Sequence, residues 1–151
     1  MILFYHLTRS TAEETAATLL ARAADRGMRV MLRGTLPETL DRLDDLLWLQ
    51  PEEGFLPHGR AGGPRDADQP ILIGTGAVAN GAVALMLVDG AEVTLPEAQG
   101  MERVWILFDG GDGAALAHAR GQWTALTAAG LPAQYWSEEA GRWEKKASKN
   151  E

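Results

Sequence analysis

Two stretches of this chain carry side chains suited to gripping a partner. The first is Leu47-Trp48 followed by Phe55-Leu56-Pro57-His58-Gly59. It crowds a Trp, a Phe, a Pro and a His around the exit of a helix. A loop with that apolar load either folds under the domain or walls a pocket for a partner. The second is Leu116, Arg120 and Trp123, spaced i, i+4, i+7, so that one helix face carries all three. A charge between a Leu and a Trp is costly to bury unpaired. Either the arginine stem lies on Trp123 with its head in water, or Arg120 borders a pocket and meets an anion. In the second case the guanidinium grips a carboxylate through a two-bonded fork, which fixes orientation as well as charge.

Catalytic constellations are thin beside these. Gly74-Thr75-Gly76-Ala77-Val78-Ala79 matches the loosest dinucleotide fingerprint, G-x-G-x-x-A, after a strand. That fingerprint needs a helix next, to hold the pyrophosphate at its N-terminus. Residues 83–88 alternate like a strand instead. No G-x-x-x-x-G-K-[ST] occurs. Asp89, Asp109 and Asp112 each adjoin a glycine, which is ordinary turn chemistry. His6, His58 and His118 lack metal-ligand spacing. His58 stands out only for its aromatic and proline neighbours. The chain has no cysteine, which removes disulfides, thiolate metal sites and a Cys nucleophile together. No catalytic residue, metal or cofactor is expected.

The elements that must position these residues alternate between strand and helix. Residues 2–7 suit a first strand. Ser10-Thr11-Ala12-Glu13 reads as a capping box opening an alanine-rich helix that Gly27 ends. Residues 28–32 form a second strand. Thr35-Leu36-Pro37-Glu38 reads as another capping box, and Leu40, Leu43 and Leu47 carry the helix to about Trp48. Residues 51–70 form a long connection rich in Pro, Gly, Arg and Asp. Residues 70–74 make a third strand. Asp89-Gly90 is a turn pair able to close a hairpin between Val83–Leu87 and Val93–Leu95. Residues 104–108 are continuously apolar, as in a strand covered on both faces. A helix follows over about 114–129, and a short strand over 131–136. The expected fold is α/β: a single three-layer domain over 1–151, its central mostly parallel (mixed) sheet flanked by helices. At 151 residues the chain needs no staples.

The formal net charge is −7, which argues against a free-standing nucleic-acid binder. Residues 142–151 depart from that average, with Arg142, Lys145, Lys146 and Lys149 against Glu144 and Glu151. This basic C-terminal tail reads either as a solvated end or as a strip beside an acidic ligand. The apolar N-terminus is too short for a signal peptide, and no run approaches the roughly 20 residues of a membrane span. A cytoplasmic protein without membrane contact is expected.

Taken together, the Phe4-Tyr5 strand, Leu43-Asp44-Asp45-Leu46-Leu47-Trp48, Phe55-Leu56-Pro57-His58, Leu107-Phe108-Asp109-Gly110 and the following Ala119-Arg120 helix resemble the chi subunit of bacterial DNA polymerase III. The stretch from Tyr135-Trp136 to Gly141-Arg142-Trp143-Glu144-Lys145-Lys146 resembles some members too. The resemblance implies a non-catalytic accessory subunit. It would link the clamp-loader assembly, through the psi subunit or other components, to single-stranded-DNA-binding protein, and so to single-stranded DNA indirectly. It implies that the acidic C-terminal tail of that protein is gripped here. Trp48, Phe55, Leu56, His58, Arg120 and Trp123 would bind the peptide: Trp48 and Phe55 would wall a slot for its terminal ring, Arg120 would hold the carboxylate, and Trp123 would lie alongside. Better-known members carry further basic residues where this chain has Leu116, Thr124 and Thr127. Steering should be weaker unless Arg60, Arg65, Lys145 or Lys146 substitutes. The rival readings are a nucleotide-binding enzyme using the Gly74/Gly76 loop, and a purely structural subunit.

Overall fold

A computed structural model of the chain describes residues 1–49 and 56–151. Its strands are β1 (Ile2–Leu7), β2 (Val30–Arg33), β3 (Gly59–Arg60), β4 (Ile71–Gly74), β5 (Ala84–Leu87), β6 (Arg103–Asp109), β7 (Ala133–Ser137) and β8 (Glu144–Lys149). Its helices are α1 (Ala12–Asp25), α2 (Pro37–Trp48), α3 (Leu95–Gly100) and α4 (Gly113–Ala128). The strands join in one sheet, ordered β3-β4-β2-β5-β6-β1-β7-β8. Every pairing is parallel except that of β7 with β8. The three-layer α/β expectation holds.

Strand alternation divides the interior into two cores. On one face Leu3, Leu7, Leu32, Met86, Trp105 and Leu107 pack against Leu19 and Leu20 of α1 and Leu40, Leu43 and Leu47 of α2. On the other, Phe4, Met31, Leu85, Val104, Ile106 and Phe108 pack against Ala98 of α3 and Ala119 and Leu126 of α4. Central strands covered on both sides must be apolar throughout, which is why β4 and β5 read as unbroken runs.

Several local details differ from the sequence reading. Thr11, not Ser10, caps α1, accepting from the Glu14 amide. Ser10 instead donates its hydroxyl to Glu138. Leu36 caps α2 without a side-chain bond. There Asp89 does the work from another strand end, its Oδ2 accepting from the amides of Thr35 and Leu36. The Asp89-Gly90 turn forms with positive φ at both residues, but no hairpin follows. The chain runs instead into α3, opened by a reciprocal capping box between Thr94 and Glu97. Residues 144–149, expected within a tail, form edge strand β8, which registers Lys145 opposite Trp136.

Candidate partner-binding sites

Helix α4 turns Leu116 and Trp123 onto the second core and leaves Arg120 exposed. The Arg120 guanidinium has no ion pair or hydrogen bond among the described residues. Behind it stands an aromatic cluster. Trp123 meets Phe4 edge-on at 5.4 Å and Tyr135 at 6.0 Å. The Tyr135 hydroxyl lies 2.7 Å from His6 Nδ1, and His6 Nε2 lies 3.2 Å from Glu139 Oε1. Burial raises the Tyr135 pKa and Arg120 pulls it back, so the guanidinium sits within electrostatic reach of that hydroxyl. Thr124 and Thr127, on the same helix, turn their hydroxyls back to the carbonyls of Arg120 and Trp123. They shape the helix surface and add no charge.

The end of α2 presents a different surface. Trp48 is 56% exposed and Leu49 is 73% exposed. The His58 ring stacks obliquely on Trp48, with centroids 4.7 Å apart. The Leu56 carbonyl can only accept, so His58 Nδ1–H donates to it, at 2.7 Å. His58 Nε2 lies 3.0 Å from Asp44 Oδ1 without the geometry of a hydrogen bond. Leu56 and His58 are buried, Leu56 in the core and His58 against the Trp48 ring, so neither presents a surface of its own. Phe55 lies outside the described residues. Leu49 was missed in the sequence. The signal was available, since it continues the apolar run past the helix end.

One expectation is overturned. The aromatic stretch and Arg120 do not meet around a single hollow. Helix α2 belongs to the core on one sheet face and α4 to the core on the other. The sheet therefore separates Trp48, Leu56 and His58 from Arg120 and Trp123. Sequence spacing could not reveal this, because the side of the sheet a helix covers is decided by crossover topology.

The glycine loop is also accounted for. No helix follows β4; the chain runs irregularly to β5. The buried Arg33, at the end of β2, ties this loop through its carbonyls. Its Nε donates to the Gly76 carbonyl at 2.9 Å, and Nη1 donates to the Glu92 carbonyl at 2.9 Å. Two further bonds, at 3.0 and 2.7 Å, fork onto Glu97. A cavity of about 530 Å³ lies at the carboxyl ends of β5 and β6, bordered by Asp89, Asp109, Asp112 and His118. Its acids are occupied as turn and cap acceptors, Asp109 for Gly111 and Asp112 for Ala114 and Ala115. Among the described residues no group of His, Cys, Asp or Glu could hold a metal ion. No described helix is long and apolar enough to cross a membrane.

Fold and side-chain placement thus define a three-layer α/β protein with two surface clusters of aromatic and apolar groups, set on opposite faces of its sheet. The chain belongs to the DNA polymerase III chi subunit family, HolC, whose model matches residues 1–134. Membership of that family gives the chain an accessory role in replication, within the DNA polymerase III assembly. No curated protein matches it significantly.

Proposed function

We infer that the chain is a non-catalytic linker that holds single-stranded-DNA-binding protein on one sheet face and a clamp-loader component on the other. The observation that carries this reading is the Arg120 guanidinium, exposed, unpaired among the described residues and backed by Trp123 and Tyr135. A peptide ending in an aromatic residue offers both halves of the match: a carboxylate for the fork and a ring for the aromatic wall. The Trp48–Leu49 patch, on the far side, suits the second contact, with psi or another clamp-loader subunit. Each contact is small, and the several tails of an oligomeric partner strengthen the first by effective concentration.

The test is a titration with a peptide copying such an acidic tail. Arg120→Ala should weaken binding about ten-fold, the low end for a charge-assisted fork because the site is open to water. Amidating the peptide's end should weaken it similarly. Trp48→Ala should leave the peptide untouched and reduce capture of the clamp-loader partner. Unchanged affinity for both Arg120→Ala and the amidated peptide would remove α4 as the tail site.

A further inference from the structure

The face that carries α1 and α2 is not covered evenly. Beyond α1, towards β7 and β8, lies a groove of about 380 Å³ walled by Tyr5, Trp136 and Trp143. Trp143 is 37% exposed and meets the Tyr5 ring edge-on at 5.1 Å. Tyr5 and Trp136 are register partners on β1 and β7, and Lys145 of β8 is the next partner in the same row. Tyr5, Leu19 and Arg22 also line a second, smaller hollow with Arg26 and Arg103, so the two spaces adjoin. The Arg103 guanidinium stands over the Trp105 ring, 5.9 Å from its centre. Burial raises the Tyr5 pKa while Arg103 and Arg22 oppose it, which places both charges near its hydroxyl.

These cations lack counter-charges. Among the described residues Arg22, Arg26, Arg103 and Lys145 form no ion pair. The carboxylate lining the groove is Glu14, and Glu144 near its end is already taken by Arg142 and Lys146. The chain has 21 acidic residues against 14 basic ones, so like charges gathered without partners need another explanation. An anion supplied from outside relieves them. The aromatic walls say which kind. Guanidiniums receive phosphates while flat rings beside them stack bases, the combination by which sheet faces and grooves hold single strands. An acidic peptide with one terminal ring would occupy one aromatic wall, whereas a strand offers a base to each of the three rings and a phosphate to each cation.

We propose that this groove, from Arg103 and Arg22 past Tyr5 to Trp136 and Trp143, binds single-stranded nucleic acid directly. The site is independent of Arg120 and of the Trp48 patch. It spans a few nucleotides, so it is a weak contact that becomes useful when the strand is held nearby. The net acidity of the chain does not prevent it, because charges beyond about 10 Å are screened at moderate salt.

The experiment measures anisotropy of a fluorescein-labelled oligothymidylate, about 20 nucleotides long, against the intact protein. The expected result is binding at low salt, with log affinity falling against log salt at a slope near −2, about −0.7 for each of three phosphates. Arg22→Ala with Arg26→Ala should flatten that slope by about 1.4. Trp143→Ala, at an exposed position, should lower affinity about five-fold or more with the slope unchanged. Arg120→Ala should change neither. Urea unfolding of each variant confirms that it is folded. No binding at low salt, or equal binding by duplex of the same length, would overturn the proposal. So would loss of the oligonucleotide to an equimolar acidic peptide, or indifference to Trp143→Ala.

Discussion

Glu97→Gln isolates the interaction that holds the glycine loop. Glutamine has the shape of a protonated carboxyl, so the variant imitates, at any pH, the acid form of the native side chain. The native carboxylate accepts a two-bonded fork from Arg33 and a further bond from the Thr94 amide. The Arg33 bonds, acting against burial and aided by Thr94, hold its pKa at about 2. Relative to its ordinary value of 4.5, that depression corresponds to about 3 kcal/mol at neutral pH. The side chain is 26% exposed, and screening trims the figure to about 2 kcal/mol. The direction follows from the depressed folded pKa. The stabilisation is complete above the unfolded value and disappears as pH falls through the folded one. Urea unfolding, followed by tryptophan fluorescence, should therefore place the variant about 2 kcal/mol below the native chain at pH 7 and at pH 5. The gap should narrow from pH 4 and close near pH 2. A gap of equal size at pH 3 and pH 7 would mean that glutamine disturbs packing rather than charge. No gap at pH 7 would mean that Arg33 is satisfied without Glu97. Either result would refute the account of this loop as an internally tied corner.

Glu138 makes the same argument at another corner. It accepts from the amides of Thr8, Arg9 and Ser10 at 2.9, 2.8 and 2.6 Å, and from the Ser10 hydroxyl. Burial opposes ionisation, yet these donors outweigh it and hold the pKa below normal. Glu138→Gln should cost about 1–3 kcal/mol at pH 7, read by thermal unfolding, and the deficit should fade as the native carboxyl protonates below pH 4. Gly110→Ala should destabilise by about 1–3 kcal/mol, because its Cβ would fall 1.9 Å from His6 Nε2. The ring cannot easily step aside, being held by Tyr135 at one nitrogen and facing Glu139 at the other. A double-mutant cycle with His6→Ala should recover part of the loss; simple additivity would exclude this clash as the cause.

Much of the fold was legible because period and punctuation report it directly. The Leu40, Leu43, Leu47 repeat carried α2 to Trp48, where the helix ends. The run from Val104 to Phe108 announced a doubly covered strand, and β6 is one. What failed depended on partners distant in sequence. Ser10 looked like a cap because Glu13 follows it, but Glu138, just past the neighbouring strand β7, takes both its amide and its hydroxyl. Val93 and Leu95 looked like a returning strand because Asp89-Gly90 precedes them. The Thr94–Glu97 box, completed by Arg33, made a helix there instead. β8 carries too many lysines to announce itself; its pairing comes from the free edge of β7. At the candidate site, the residue types were readable and their arrangement was not. Trp48 and Arg120 are both exposed, as partner residues must be, yet nothing local to either encodes which face of the sheet its helix covers.

The separation of these two residues strengthens the linker reading rather than weakening it. A single hollow walled by Trp48 and closed by Arg120 would accept one partner at a time, and a second protein would have to compete for it. Two surfaces divided by a packed sheet can be occupied together, and a rigid interior fixes the angle between their occupants. The internal ties act in the same sense. Arg33 with Glu97, and Glu138 with the amides after β1, hold the carboxyl-end loops without any ligand. On the linker reading, internal ties of this kind leave little ordering cost to set against two weak contacts. An acidic chain that lacks the further cations beside Arg120 gains little from long-range attraction to an acidic tail. On the linker reading, its hold comes from the fork and the aromatic wall at short range, and from the number of tails within reach.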